Sequence, residues 1–272
     1  TKLLGEEVIG PDWMRRIKYF NYDDPQLLGI YYAMKDAPVF KSAEYDPAIQ
    51  RCWVGYFGCD SIDEIRNAQT QVMSGIVPTK TMGGWFNPTL ADPSQAPAGH
   101  HVVSTWITVP PAPRKWGNKT LNGWNSWREG FGEALADMMD DLYDQMAPGF
   151  KDLIIERHIN TPMDQENSNP SAVRGNMIGG SAIPEQAGEN RPLPGVCVNG
   201  ASRSFIPGLY LSNSIHPFGA THLASGYIAA SEIAEDLGCR NQTWWSSKPF
   251  EWFLANMGTL PMNAGVADKW KV

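Results

Sequence analysis

Apolar and polar positions alternate most regularly between His101 and Val109, where Val103, Thr105 and Ile107 interleave with Val102, Ser104 and Trp106. A period of two puts the sets on opposite faces of a strand, and apolar residues in both predict burial on both sides. Gly29–Met34, residues 48–57 (rich in Trp53, Val54, Tyr56 and Phe57) and Leu153–Ile159 read as further strands. Elsewhere the period lengthens to three and four. Ser61 can cap a helix running to Ser74, with Glu64 placed as in a capping box and Ile62, Ile65, Ala68 or Gln69, and Val72 on one face. The clearest helix carries Trp124, Trp127, Phe131, Leu135, Met138, Leu142 and Met146, and Pro148-Gly149 stops it. Glu129, Asp137, Asp140, Asp141 and Asp144 take its other positions, which predicts a solvated acidic face. Finally, Pro207-Gly208 precedes a short apolar strand, Leu209–Leu211, and Leu223, Tyr227, Ala230, Ala234 and Leu237 then recur at helical spacing.

Between these elements Pro78, Pro88, Pro93 and Pro97 mark a loop, and Pro110, Pro111 and Pro113 end the second long strand before an exposed connection at 114–123. Residues 161–200 are rich in Asn, Pro and Gly and show no strong periodicity. So long a passage in a compact chain lines a site or a partner surface. The order of elements predicts an α/β chain, with α+β mixing. It divides into 1–160, with sheet and helices; 161–240, a loop-rich segment closing in a strand and helix; and 241–272, a tail carrying Trp244, Trp245, Phe250, Trp252, Phe253 and Trp270.

Composition narrows the functions open to the chain. Its 272 residues include 42% hydrophobic and 19% charged positions, and no apolar run approaches the roughly 18–20 residues that cross a bilayer. Residues 1–10 hold charges and no continuous apolar stretch, which predicts a cytoplasmic protein. A net charge of −7 without clustered Lys and Arg argues against nucleic acid as a partner. Cys52, Cys59, Cys197 and Cys239 form no C-x-x-C pair and read as reduced, buried thiols. His100 and His101 are adjacent on a strand and face opposite ways, so they do not share a metal, and one is expected to point inward. No metal-ligand spacing and no G-x-S-x-G elbow occurs, so neither a metal site nor a hydrolase is expected.

Chemistry concentrates in residues 208–230, where a strand passes through a turn holding His216, Pro217 and Gly219 into a small-residue helix. Free N–H groups and the positive dipole end at such a helix start attract a phosphate or a developing negative charge. Gly219, Ala220, Ala224 and Gly226 let another molecule approach the backbone.

This segment resembles the closing motif of the phytoene-desaturase-like FAD-dependent oxidoreductases. That family reads Leu-Tyr-Leu, then His-Pro-Gly-Gly-Gly, then Gly-Tyr-Asn-Ala-Ala; here His216-Pro217-Phe218-Gly219-Ala220 and Gly226-Tyr227-Ile228-Ala229-Ala230 stand in the last two places. Blocks upstream are similar in the same order: Ala33–Pro38, Pro88–His101, Trp127–Pro148, Thr161-Pro162, Gly175-Asn176 and Arg191-Pro192. The resemblance implies a substrate domain followed by the strand and helix that cover FAD. The cofactor would then meet Asn213, Ser214, His216, Pro217, Phe218, Gly219, Ala220, Thr221, His222, Leu223 and Ala224, with Asn176, Met177 and Arg191 nearby. It gives His216 a structural role. His222 stands where relatives face the flavin pyrimidine ring and is the candidate catalytic residue, its alternative being a helix-capping or partner-contacting histidine.

The pyrophosphate-gripping unit of that family does not occur here. Met82-Gly83-Gly84-Trp85 and Ile178-Gly179-Gly180-Ser181 are the nearest glycine pairs, and neither gives G-x-G-x-x-G between a strand and a helix. The expectation is therefore a naturally split enzyme whose second chain carries the N-terminal Rossmann half, a cut longer polypeptide being the alternative. The resemblance implies hydride removal from an apolar, isoprenoid or terpenoid substrate, by desaturation or hydroxylating dehydrogenation, and within the group a two-chain monoterpene dehydrogenase of the limonene-oxidising type. Rival functions are a non-catalytic companion subunit and an apolar small-molecule-binding module. For the aromatic tail, subunit contact is preferred over peripheral membrane contact.

Overall fold

The computed structural model describes residues 4–187, 190–198, 202–212, 224–240 and 242. Two short helices, α1 (Glu6–Ile9) and α2 (Pro11–Lys18), precede strand β1 (Gln26–Met34). β2 (Val54–Phe57), α3 (Ile62–Met73), β3 (Ile76–Val77), β4 (Gly83–Phe86) and β5 (His101–Val109) follow. A hairpin of β6 (Lys115–Trp116) and β7 (Lys119–Thr120) leads to α4 (Phe131–Met146), α5 (Phe150–Leu153), β8 (Ile154–Asn160), α6 (Pro162–Ser168) and α7 (Ala224–Asp236). The class is α/β, as expected. The main sheet has the order β2-β4-β5-β1-β8 with every pair antiparallel, and β3, β6 and β7 form a second small sheet. β1 and β5 pair over their whole length, from Gln26 opposite Val109 to Met34 opposite His101.

One face of the main sheet is sealed. Leu28, Ile30, Tyr32 and Met34 of β1 and Val103, Ile107 and Val109 of β5 meet Leu135, Ala136, Met139 and Tyr143 of α4, and none of these is more than 1% exposed. Tyr143 stacks on Phe150 at 4.7 Å, and Tyr32 meets the same ring edge-on at 5.2 Å. Contact among these side chains, rather than helix propensity, fixes α4 to the sheet.

Several expectations need correction. β5 is buried on one face only, because α4 covers one side of the sheet and leaves Trp106 38% exposed on the other. Residues 48–57 are not one strand: Pro47–Arg51 form a 3-10 turn whose start Asp46 caps by accepting from the Ala48 N–H, and only Val54–Phe57 pair. The connection 114–123 is partly structured, since β6 pairs with both β7 and β3. α4 starts at Phe131, after Gly130 takes φ 84 at its N-cap, and its buried stripe runs through Leu135, Met139 and Tyr143 while Met138, Leu142 and Met146 stay half-buried. Its acidic side is not merely solvated. Arg157 of β8 gathers Glu133 and Asp137, each at 2.9 Å, and Asp140, which also accepts from the Tyr32 hydroxyl at 2.8 Å. A guanidinium packed between strand and helix needs such partners. Burial pushes the Asp140 carboxyl above its ordinary value, against the hydrogen bond from Tyr32 and the charge of Arg157.

Ser61 caps α3 as expected, but Glu64 turns to the Asp60 N–H, and Ile62 and Ile65 are exposed while Ala68 and Val72 are buried. The stretch 161–200 contains α6, which begins with a full capping box between Thr161 and Asp164 and with Pro162 in its first turn. Leu209–Leu211 is not a strand; Tyr210 makes one isolated bridge to Arg203. α7 buries Ser225, Ala229 and Ala234, whereas Ala230 and Leu237 are exposed. Its face is turned toward the 202–203 backbone, whose two N–H groups Glu232 accepts at 3.0 and 2.8 Å. The four cysteines are free, as expected, but Cys52 is exposed and the others half-buried. Among the described residues no helix is long and apolar enough to cross a membrane.

Candidate functional site

The second face of the main sheet is open and aromatic. Register places Trp106 opposite Gly29 on one side and Gly84 on the other, with Tyr56 opposite Gly84. Without side chains at these two glycines, neighbouring rings lie down on the sheet. A Cβ on Gly29 would sit 3.0 Å from the Tyr31 ring, and one on Gly84 would sit 3.3 Å from the Phe86 ring. Phe86 and Trp106 pack at 4.9 Å, and Tyr31 faces His158 at 6.3 Å. Rings spread over glycine in this way form a flat apolar wall.

Against that wall lies a cavity of about 640 Å³. Leu27, Phe86, Trp106 and Thr108 form its floor with Gly83 and Gly84, and Tyr56, Cys59, Ile65 and Met82 close its sides. The exposed position of Ile65 thus reflects the cavity it faces. None of the described lining residues is Asp, Glu, Lys, Arg or His. Such a space suits an uncharged, largely apolar molecule, because an ion placed there would lose its hydration without gaining a counter-charge.

A polar clamp holds one side of the cavity. Lys80 reaches Asp60 and Glu64, each at 2.8 Å, and Gly58 takes φ 110 where a Cβ would strike the Thr81 carbonyl oxygen at 1.9 Å. Lys80 holds the Glu64 carboxyl below its ordinary range, and burial followed by the Glu64 charge pushes the Cys59 thiol up.

A second cluster joins residues 21–24 to 176–191. Asn176 accepts from the N–H groups of Ile178 (3.1 Å) and Gly180 (3.0 Å), Ser181 donates to Asn21 at 2.9 Å, and Gln186 accepts from the Asn21 N–H at 2.8 Å. Arg191, fully buried, donates to the carbonyls of Gln186 (2.9 Å) and Ile178. Burial lowers its pKa against the raising effect of Asp24. The structure therefore brings Asn176 and Arg191 together, while Met177 is 49% exposed.

Of the cofactor-contacting residues expected from sequence, Ala224 is the first residue of α7. Asn213, Ser214, His216, Pro217, Phe218, Gly219, Ala220, Thr221, His222 and Leu223 lie outside the described residues, as does the aromatic tail from Thr243. His101 is the inward histidine: its Nδ1 meets Thr89 Oγ1 at 2.8 Å, while His100 is exposed. Sequence reasoning missed Leu27, Tyr56, Ile65, Phe86 and Thr108. The signal was present in Trp106 on the second face of an alternating strand and in Gly84, which opposes it there, while Gly83 opposes the core residue Ile107.

Over more than four fifths of its length the chain is similar to oxidoreductases. The relatives include a limonene dehydrogenase subunit of Castellaniella defragrans, 27% identical over 232 residues, covering 84% of this chain and 40% of the relative. Pyridine nucleotide-disulfide oxidoreductase domain-containing protein 2 of Mus musculus is 29% identical over 242 residues, covering 87% of this chain and 39% of the relative. The protein of the same name from Rattus norvegicus is 28% identical over the same length. The chain thus spans about two fifths of the length of these relatives. No protein-family model matches it.

Proposed function

We propose that this chain is the substrate-binding and flavin-covering part of an FAD-dependent oxidoreductase of the phytoene-desaturase-like group, acting on an apolar, terpenoid-type substrate. The observation that carries the reading is the cavity of about 640 Å³ on the aromatic sheet face, whose described lining holds no charged residue, in a chain whose relatives are named as a dehydrogenase subunit and an oxidoreductase-domain protein. In this reading residues 1–160 hold the substrate, 161–240 carry the wall against the cofactor, and 241–272 contact another subunit.

The residues of α7 fit such a cofactor. Its first turn contains Gly226, where a Cβ would meet none of the described residues within 4 Å, and thirteen residues of helix direct a dipole out of that end. A planar group carrying negative charge can approach there and be stabilised by it. Residues 213–224 would line the isoalloxazine side, with His222 donating a hydrogen bond or positive charge. FAD, when bound, supplies a hydride acceptor. The sheet face supplies apolar surroundings for the reacting carbon, and whether water reaches the substrate there decides between desaturation and hydroxylation. The nucleotide end is gripped by a Rossmann half that these 272 residues do not contain.

The test is purification of the complete assembly and its visible spectrum. The reading expects flavin bands that Gly219→Trp removes, and turnover that His222→Ala lowers at least about tenfold. Unchanged flavin and turnover in both variants would assign the chain a companion role instead.

A further inference from the structure

Charge is spread unevenly along this acidic chain. Between Asp92 and Glu129 it carries Arg114, Lys115, Lys119 and Arg128 and no acidic residue. Arg114 lines a cleft of about 360 Å³ together with the end of α3, the prolines that follow β5, and Arg174. Its guanidinium is held in place by a glycine. Gly75 takes φ 76, and a Cβ there would sit 2.7 Å from Arg114 Nε and 3.2 Å from Nη2. The Arg114 backbone N–H donates to the Gly75 carbonyl at 2.7 Å, and Nη2 donates to the Ser74 carbonyl at 3.1 Å. These bonds cap the end of α3 and use one of the five side-chain donors. Among the described residues no carboxylate pairs with Arg114. Arg174 is the one described residue other than glycine with positive φ, at φ 56 and ψ 27, a conformation that L residues adopt at a cost. It pairs with Asp23, which also lines the cleft.

We propose that this cleft, which shares no described lining residue with the sheet-face cavity, binds a small organic monoanion, a carboxylate on an apolar body, whose oxygens accept from Arg114. Two guanidinium groups and one carboxylate among the described lining residues leave one positive charge, which a monoanion cancels. A planar carboxylate matches the fork of donors that Arg114 still offers. Pro110, Pro111 and Met73 place apolar surface beside that charge, where the ligand's hydrocarbon part can lie. A doubly charged phosphate would carry surplus charge toward Asp23. Arg114 is exposed, so the anion reaches it without rearrangement of the fold. The site does not depend on a bound flavin or on the proposed reaction.

Titration of the full chain at constant ionic strength with benzoate, benzamide and inorganic phosphate tests this, with the arginine Nε–H resonances followed by NMR. Benzoate is expected to shift the Arg114 Nε–H resonance and to bind at least about tenfold more tightly than benzamide, which has its shape without its charge. Phosphate is expected to bind more weakly than benzoate. Arg114→Gln should weaken benzoate at least about tenfold, and Asp23→Asn, which removes the competing carboxylate, should strengthen it. Equal affinity for benzoate and benzamide, phosphate bound as tightly as benzoate, no benzoate binding, or saturation without movement of the Arg114 resonance would overturn the proposal. The resonance and the three affinities are read on the unaltered protein, so they decide the matter even where a variant is unstable.

Discussion

The two faces of the main sheet are built from the same strands and treated oppositely. On the α4 side, alternate residues of β1 and β5 vanish into a core no more than 1% exposed; on the other, Trp106, Tyr31 and Tyr56 retain 38%, 36% and 85% exposure. Apolar surface left uncovered forgoes stabilisation of about 25 cal/mol per Å², and on soluble chains large uncovered patches mark places of contact. The sealed face holds the fold together, and the open face is free to recognise.

The sharpest way to break this contrast is to truncate both sides. Leu135→Ala is expected to cost about 2–5 kcal/mol, read from the urea midpoint, because α4 cannot collapse into the space left behind. Adjacent glycines make a finer test. Gly83 faces the core side of β4, where a Cβ would sit 2.2 Å from the Trp106 carbonyl oxygen, so Gly83→Ala is expected to lose about 1–3 kcal/mol. Gly84→Ala meets the Phe86 ring at 3.3 Å and the Tyr56 ring at 3.6 Å, both on the open face, and should change stability by less than about 1 kcal/mol while altering the affinity of an apolar fluorescent probe. Tyr56→Ser should stay within about 0.5 kcal/mol and weaken the same probe. Equal destabilisation by Gly83→Ala and Gly84→Ala would erase the distinction between the faces.

The smallest effect concerns pH. Lys80 lowers the pKa of Glu64, so the clamp contributes stability that is present above the ordinary carboxylate range and is lost as pH falls through the lowered value. Protection factors at residues 79–82, with the intrinsic pH dependence of amide exchange divided out, should therefore fall below roughly pH 4 relative to about pH 6. Asp140 shifts the other way, raised mainly by burial; its contribution is fullest at low pH and declines as pH rises through its folded value. Lys80→Gln should remove the acid dependence at the cavity and leave that of Asp140 in place.

Much of the frame is legible in the patterning. β5 can be read to the residue, α3 with its Ser61 cap to within one residue at its C-terminal end, and β1 except for its first three residues, because each has an undisturbed period and punctuation at its ends. Local signals fall short where a distant partner decides. Arg157 ties Asp140, Glu133 and Asp137 into one network across an apparently solvated acidic face, and nothing within α4 announces it. Glu64 chooses the Asp60 N–H over a reciprocal cap. α6 carries a readable signature, Thr161-Pro162 with Asp164, inside a stretch whose lack of periodicity hides it. For the candidate site, the outward position of Trp106 follows from alternation. Its glycine neighbours come from two other strands, and only register joins them.

The claim on which the rest depends is that the open sheet face meets an apolar molecule beside a flavin at the start of α7. A structure of the complete assembly with cofactor and an apolar ligand measures this directly. The account predicts the isoalloxazine at the N-terminal end of α7 and the ligand against Trp106 and Phe86. A colourless assembly, or a ligand bound elsewhere with that face covered by protein side chains, contradicts it.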